Sequence, residues 1–305
     1  MLRNGWQSIF DMRVLHIAMG TPEFDRAATE LGHDVRRIHW PDYFGRKNIS
    51  IKPIEPAIIG AVKVFAPDLV FIQTHERQVV SEAALRVMKT SGAMVVFWVG
   101  DVRDPLPAYY LWMAHHVHIM AFTNEPDVEH LRSLGHDARF LQIGYDETIF
   151  NTTGPVAKDA PDVVFMGSNY TGRFPLSDHR AELVAALYAK FGKRFKVYGK
   201  GWSYPGVRYV KNEEEAAIYR GCKVAIHADH FDREGFFSDR WLRAQACGAA
   251  TLNLTAVPVD EAVAIVCEEL ENEDARYHAS LCAESTRLND TWHNRINTLE
   301  GWLKS

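Results

Sequence analysis

Short runs of apolar, often β-branched residues alternate along the chain with stretches in which apolar residues recur every three or four positions. The short runs predict buried strands, and the longer stretches predict amphipathic helices. In the first half, strands are predicted at 14–18, 35–40, 69–73, 94–98, 118–122 and 138–143. One helix separates each pair, at 23–31, 56–65, 80–88, 107–115 and 126–134. This alternation is typical of a parallel sheet covered by helices on both faces.

The alternation stops at 151–161, which is rich in small and turn-forming residues and has no periodicity, so we predict a linker there. It resumes with strands at 163–166, 195–198, 223–227 and 250–254, separated by helices at 179–191, 213–219 and 239–246. We therefore expect an α/β chain with two Rossmann-like domains, residues 1–150 and 162–305, facing a central cleft.

Composition narrows the class of protein. The 305 residues are 47% hydrophobic and 24% charged, which is ordinary for a globular chain. No apolar run approaches the ~20 residues of a membrane helix, and the first residues lack a secretory signal pattern. The four cysteines are scattered without a C-x-x-C pair, which favours reduced thiols in a cytoplasmic protein and disfavours a metal site.

Charge is unevenly distributed. The net charge of −5 gives no general attraction to nucleic acid, yet residues 173–200 contain seven basic residues and two acidic ones. We interpret this basic segment as a local anion site, for a phosphate for example, with a solvated helix face as the alternative. No G-x-G-x-x-G follows the first strand, and the sequence contains no P-loop, no G-x-S-x-G and no D-x-D motif. Dinucleotide-binding, P-loop and α/β-hydrolase enzymes are therefore disfavoured.

The block 237–254, which reads FSDRWLRAQACGAATLNL, carries the most information. It resembles the donor-site helix of glycosyltransferases with two Rossmann-like domains (the GT-B fold), and among them the spore-protein CgeB-like group. The matching positions of the S-x-R-x-x-E-A-x-A-C-G pattern are Ser238, Arg240, Ala244, Ala246, Cys247 and Gly248. Residues 144–150, 163–168 and 292–295 are similar to further elements of that group in the same order, so the resemblance spans most of the chain from about residue 120.

The resemblance implies that the N-terminal domain binds an acceptor and the C-terminal domain binds a nucleotide sugar. Ser238 also suits a helix N-cap, and a helix N-terminus with Arg240 beside it suits a diphosphate. The predicted donor- and phosphate-binding residues are Gly167, Ser168, Arg173, Arg180, Lys200, Ser238, Arg240 and Arg243. We expect no metal and no cofactor other than the nucleotide sugar, which is a co-substrate.

Two glutamates of the resembled pattern are altered. The ribose-binding glutamate falls on Arg243, which has only hydrogen-bond donors and is spaced to pair with Asp239 on the same helix. The second falls on Gly235, with Glu234 one residue earlier, so Glu234 is retained as a candidate for contacting the sugar.

Two N-terminal residues are candidates for acid–base chemistry. Asp101 follows a predicted strand on a glycine turn, and nearby Asp104 would raise its pKa by repulsion. His75 ends another predicted strand. Either side chain suits a general base, with turn capping and a structural histidine as the alternatives.

Together these features predict a metal-independent glycosyltransferase acting on an unidentified acceptor, with retention of configuration slightly favoured. Two alternatives remain open. One is a virus-type DNA glycosyltransferase that acts on a hydroxymethylated pyrimidine, which the acidic net charge disfavours. The other is a non-catalytic GT-B relative that binds a nucleotide or a partner, which Arg243 favours.

Overall fold

The computed structural model describes residues 11–43, 54–77 and 79–304. Its residues form two compact units. The first comprises the described residues of Met1–Gly144, Arg233–Phe236 and Trp292–Ser305, and the second comprises Tyr145–Asp232 and Phe237–Thr291. None of the helices within the described ranges is long and apolar enough to cross a membrane.

The first unit contains a six-stranded sheet in the order β2-β1-β3-β4-β5-β6, and every pairing is parallel. Its strands are β1 (Arg13–Ala18), β2 (Asp34–His39), β3 (Leu69–Ile72), β4 (Met94–Val99), β5 (Ile119–Phe122) and β6 (Ala138–Phe140). Its helices are α1 (Glu23–Glu30), α2 (Ile54–Phe65), α3 (Glu82–Thr90), α4 (Ala108–Ala114), α5 (Glu125–Ser133) and α11 (Trp292–Leu303).

Both faces of this sheet are buried, because successive side chains of a strand point to opposite faces. In β4, Val95 and Phe97 belong to one hydrophobic cluster, whereas Val96 and Trp98 belong to the other. The second cluster includes Trp292 of α11, whose ring lies edge-on 5.8 Å from that of Trp98. The end of the chain therefore completes the core of the first unit.

The second unit contains a four-stranded parallel sheet in the order β10-β9-β7-β8. Its strands are β7 (Val163–Met166), β8 (Phe195–Tyr198), β9 (Val224–His227) and β10 (Ala250–Asn253). Its helices are α6 (Ser177–Phe191), α7 (Asn212–Gly221), α8 (Asp239–Ala246), α9 (Val259–Glu271) and α10 (Ala275–Asn289). One cluster of buried apolar side chains from the strands and from α6 and α9 forms its core.

The predicted fold class, two α/β domains with parallel sheets, is confirmed. The two units differ in four places from the predicted division. Trp292–Ser305 and Arg233–Phe236 fall in the first unit, and residues 145–150 and the predicted linker 151–161 fall in the second. Arg220 of α7 accounts for the last difference, because its guanidinium group donates hydrogen bonds to the carbonyl oxygens of Asn151 (2.7 Å) and Pro155 (3.2 Å).

Candidate functional site

Three glycines allow the loops after β7 and β8 to lie against each other in the second unit. A Cβ atom at Gly199 would lie 2.2 Å from the carbonyl oxygen of Gly167, and one at Gly201 would lie 2.7 Å from that of Asn169. The indole Nε1 of Trp202 donates a hydrogen bond of 2.6 Å to the same Gly167 carbonyl. These two loops follow the carboxyl ends of neighbouring strands, where open parallel sheets bind ligands.

Arg180 of α6 is the most unusual side chain in this region. It is only 5% exposed, and its guanidinium carbon lies 4.8 Å from the ring centroid of Phe165. Its Nη2 atom lies 1.8 Å from where a Cβ of residue 167 would be, so a larger residue there would require the guanidinium group to move. Burial, and then the positive charge of Arg240, lower the pKa of Arg180 to about 10, although Asp229 opposes that shift. Arg180 therefore remains charged at neutral pH.

No carboxylate in the described ranges forms an ion pair or a hydrogen bond with Arg180, and its buried Nε atom has no partner. An uncompensated buried charge is costly to a fold. The guanidinium group of Arg180 is therefore suited to bind an anionic ligand.

Two arginines on α8 have contrasting surroundings. Arg243 lies 3.0 Å from Asp239 and 3.5 Å from Glu215, and its guanidinium carbon is 4.8 Å from the ring centroid of Phe150. The intrahelical pair with Asp239 is the one that the spacing predicted. Arg240 is half-buried, and among the described residues it has no ion pair within 4.0 Å. Burial opposes the charge of Arg240, but the more distant charges of Asp239 and Glu215 raise its pKa. Arg243 thus has carboxylates within ion-pair distance, and Arg240 does not.

Ser238 is the N-cap residue of α8, as predicted, but its side chain makes no capping hydrogen bond. The first N–H groups of this helix have no acceptor within the helix and point out of its N-terminal end. That end is the positive end of the helix dipole. Arg240 lies in the same first turn. The start of α8 therefore adds to the positive potential of the two arginines.

A small recess of about 50 Å³ lies between these elements. It is lined by Met166, Gly167, Ser168, Tyr198, Gly199, Tyr209, Val210, Glu215, Arg240 and Arg243. The Oγ atom of Ser168 accepts a hydrogen bond of 3.3 Å from the N–H of Lys200, which joins the two loops. The recess brings together four of the predicted donor-binding residues, and Arg180 lies across Gly167.

The remaining predicted cations of this unit lie on exposed loops. The guanidinium carbon of Arg173 is 5.8 Å from the ring centroid of Tyr170, and the amine of Lys200 is 5.7 Å from that of Tyr209. Neither of these cations lines the recess. Their part in the predicted donor site stays a prediction.

The sequence analysis missed two residues beside this site. Glu215 is 5% exposed and lines the recess, but within the run Glu213–Glu215 it resembles a solvated helix face. The spacing from Glu215 to the buried residues Ile218 and Tyr219 is the signal that predicts its burial. His230 was also missed; burial, followed by the charge of Arg180, lowers its pKa to about 4.

In the first unit, the structure places His75 beside Asp101. The Nε2 atom of His75 is 3.3 Å from Oδ2 of Asp101, and its Nδ1 atom is 3.3 Å from the hydroxyl of Tyr110. Burial lowers the pKa of His75, although Asp101 opposes the shift. The Asp101 side chain is 54% exposed and also accepts a hydrogen bond of 3.1 Å from Arg103. A carboxylate and a neutral imidazole in this arrangement can orient or deprotonate a hydroxyl group.

The predicted repulsion between Asp101 and Asp104 is opposed by arginines. Asp104 accepts a hydrogen bond of 2.8 Å from Arg233, and Asp101 has Arg103 as its own partner. The ion pair between Arg233 and Asp104 also holds the segment Arg233–Phe236, which contains Glu234, against the rest of the first unit. In that segment, the carbonyl oxygen of Gly235 accepts a hydrogen bond of 2.8 Å from the side chain of Gln142.

Glu234 was predicted within the donor domain, but its exposed side chain belongs to the unit that contains Asp101. No group of three or more His, Cys, Asp or Glu side chains suited to hold a metal occurs in the part of the chain that the structure describes.

Residues 180–300 match the family described as glycosyl transferase-like, and this range contains Arg180, Glu215 and the whole of α8. No curated protein sequence matches the chain significantly.

Solved structures similar to the chain share its fold at low sequence identity. A UDP-forming α,α-trehalose-phosphate synthase from Burkholderia xenovorans aligns over 97% of this chain and 99% of its own, with a TM-score of 0.62 and 9% identity. The S. aureus protein TarM, solved with UDP and α-GlcNAc-glycerol, aligns over 82% of this chain with a TM-score of 0.57 and 8% identity. This chain spans 59% of TarM.

A Listeria monocytogenes protein described as a UDP-N-acetylglucosamine 2-epimerase also aligns, over 95% of both chains, with a TM-score of 0.55 and 11% identity. The fold is therefore compatible with more than one reaction of nucleotide sugars. The narrower resemblance to the CgeB-like group remains a prediction. Residues 180–300 are similar to the glycosyl transferase-like family, and the whole chain shares the two-domain GT-B fold of the trehalose-phosphate synthase structure.

Proposed function

We propose that the chain is a glycosyltransferase that takes its sugar from a nucleotide-sugar donor and that the second unit binds the donor's diphosphate. The observation that carries the proposal is Arg180, a buried guanidinium group without an anionic partner among the described residues. Arg240 adds a second cation without an ion pair. A diphosphate would supply both arginines with an anionic partner.

Charge is also what the reaction demands. As the bond between the anomeric carbon and the diphosphate oxygen breaks, negative charge grows on the leaving diphosphate. Fixed cations and the start of α8 stabilise that charge more strongly than the charge of the ground state, which is what accelerates the step. Two arginines held by the fold can supply the neutralisation that a divalent cation gives elsewhere, so the proposal includes no metal.

The first unit supplies the acceptor side of the proposal. Asp101 is exposed enough to meet an acceptor hydroxyl, and His75 lies within 3.3 Å of it. In an inverting transfer, Asp101 would remove the acceptor proton as the new bond forms. In a retaining transfer, which the resemblance favours, the leaving diphosphate takes that proton and Asp101 positions the acceptor.

The geometry weakens the argument for a non-catalytic relative, which rested on Arg243. Asp239 and Glu215 neutralise Arg243, so its presence on α8 does not by itself repel a donor or replace one. Binding to duplex DNA at low salt, lost as salt rises, would instead favour the DNA glycosyltransferase alternative.

The test is a thermal-shift screen with UDP, GDP, ADP, CDP and dTDP, followed by incubation with the sugar donors of the best ligand. A nucleotide at 100 times its Kd should add about 2.7 kcal/mol of apparent stability, and its sugar donor should release the diphosphate. The absence of any shift at millimolar nucleotide would contradict the proposal. Isomerisation of the donor without release of the diphosphate would indicate an epimerase.

A further inference from the structure

A cavity of about 470 Å³ lies beside β8, the terminal strand of the second sheet. We call it the edge cavity. Phe195 and Val197 of β8 line it together with Ile218 of α7, and all of its lining residues belong to the second unit. Tyr198 also lines the recess, whereas the other lining residues of the two spaces differ. The volume is within the range of pockets that hold small ligands, about 300–1,000 Å³, so the edge cavity can hold a ligand of its own.

Three tyrosines line the edge cavity: Tyr188 of α6, Tyr198 of β8 and Tyr204 of the loop after β8. The ring centroids of Tyr188 and Tyr204 are 4.6 Å apart, with their planes inclined at 31°. None of the three hydroxyl groups forms a hydrogen bond with another residue in the described ranges. Burial raises the pKa of Tyr198 and of Tyr204, so both hydroxyl groups keep their protons at neutral pH. The cavity therefore offers a ligand neutral groups that both donate and accept hydrogen bonds.

The charged side chains of the edge cavity do not favour an anionic ligand. Arg208 is paired with Glu214, and Nζ of Lys196 donates a hydrogen bond of 2.6 Å to the carbonyl oxygen of Asp159. Lys158 and the side chain of Asp159 also line the cavity, but both residues are exposed to water, which screens their charges. The cavity thus lacks a buried cation such as Arg180 that would bind a phosphate.

A sugar residue matches the two kinds of surface in this cavity. The faces of a sugar ring carry C–H groups, and its hydroxyl groups project around the edge of the ring. The buried side chains of Phe195, Val197 and Ile218 and the tyrosine rings suit the C–H groups. The tyrosine hydroxyl groups suit the hydroxyl groups of the sugar. A purely apolar ligand would instead leave the tyrosine hydroxyl groups without partners, at a cost to binding.

We infer that the edge cavity binds a sugar residue of a neutral oligosaccharide, at a site separate from the recess. Tyr188 and Tyr204 are the residues that hydrogen-bond this sugar. The inference goes beyond the proposed function, because it concerns binding of a saccharide without a nucleotide and without transfer of a sugar.

The experiment measures the binding of five tetrasaccharides by calorimetry in the absence of nucleotide: maltotetraose, cellotetraose, mannotetraose, xylotetraose and tetra-N-acetylchitotetraose. At least one should bind with a Kd of about 1 mM or lower. The double variant Tyr188→Phe/Tyr204→Phe keeps both rings and removes both hydroxyl groups, so it should weaken that binding at least about tenfold. Tyr277→Phe is the matched control, because Tyr277 is an exposed tyrosine of α10 that does not line the cavity, and it should change the affinity less than about twofold.

Failure of all five tetrasaccharides to bind the wild-type protein at about 10 mM would overturn the inference. Unchanged affinity in the folded double variant would also overturn it. Displacement of the tetrasaccharide by a nucleoside diphosphate would place the sugar in the recess and would contradict a separate site. The proposed function is tested with nucleotides and sugar donors alone, so its failure is distinguishable from a failure of this inference.

Discussion

The two candidate sites of this molecule treat charge in opposite ways. In the second unit, the buried cation Arg180 and the half-buried cation Arg240 have no ion pair among the residues described. In the first unit, the exposed carboxylate of Asp101 already has Arg103 and His75 as partners. A site that keeps unpaired buried charge is preorganised for a charged ligand. A site whose charges are paired and solvated can orient a neutral hydroxyl group at little cost to the fold.

The largest expected effect tests the rigidity of the second site. Gly199→Ala should lower the free energy of unfolding by about 3 kcal/mol, because its Cβ would overlap the backbone of Gly167 at a φ of +139°. Gly206→Ala is the control, with a φ of +75° and nothing within 4 Å of its Cβ, and should cost about 1 kcal/mol. Urea denaturation of both variants makes the measurement. Equal losses would show that the two loops are not held against each other.

The next prediction concerns the base in the first unit. For an inverted product, Asp101→Asn should lower turnover about 100-fold while donor affinity stays unchanged. For a retained product, the same change should have little effect. Turnover and the anomeric configuration of the product are measured together. An inverted product formed at full rate would show that another group is the base. A loss of donor affinity would show that Asp101 also contributes to donor binding, contrary to the division of roles between the two sites.

Arg240→Ala should weaken nucleotide binding by about 1.5–3 kcal/mol, since it removes a charge-assisted hydrogen bond from a partly buried site. Calorimetry gives the affinity, and the melting temperature checks the fold. The effect of Arg240→Ala on affinity is compared with that of Arg243→Ala on the same helix, because Arg243 already has Asp239 and Glu215 within ion-pair distance. Unchanged affinity after Arg240→Ala would remove this residue from the site.

The smallest effect is on pH dependence. The pKa of His230 is held near 4 by burial and by Arg180. A bound diphosphate neutralises Arg180 and so raises the pKa of His230, and binding should then take up protons between about pH 4 and 6.5. Nucleotide affinity should gain from lower pH in the wild type relative to His230→Gln, which also controls for titration of the phosphate. Identical pH profiles would contradict the coupling.

The comparison also shows how far the sequence predicts this structure. Local patterns were sufficient for the strands of both sheets, and the four-residue spacing from Asp239 to Arg243 predicted their ion pair. The resemblance and the basic segment 173–200 singled out Arg180, and the predicted helix start after Ser238 singled out Arg240. The alternation of strands and helices depends on burial within each element, which periodicity reports directly.

Contacts between distant segments were not predictable in this way. Trp292 packs on Trp98, and Arg233 pairs with Asp104. The residues of each pair are far apart in sequence, so the hydrophobic periodicity of a single element does not predict the contact. The spacing within α7 predicts the burial of Glu215, but not its ion pair with Arg243, which lies on another helix. The same reason explains why Glu234, which was predicted with the donor domain, falls in the compact unit of the first sheet.

Arg180→Met tests the central claim most directly, with Arg287→Met as the control, because Arg287 is an exposed arginine of α10 that pairs with Glu284 and does not line the recess. Replacing a buried unpaired charge by an apolar side chain of similar length should leave the Tm unchanged or raise it. The same change should weaken binding of the preferred nucleoside diphosphate at least about tenfold, while Arg287→Met changes it less than about threefold. Loss of affinity in a fold that is equally or more stable would show that the charge is kept for a ligand. Wild-type affinity in a folded Arg180→Met protein would contradict the account.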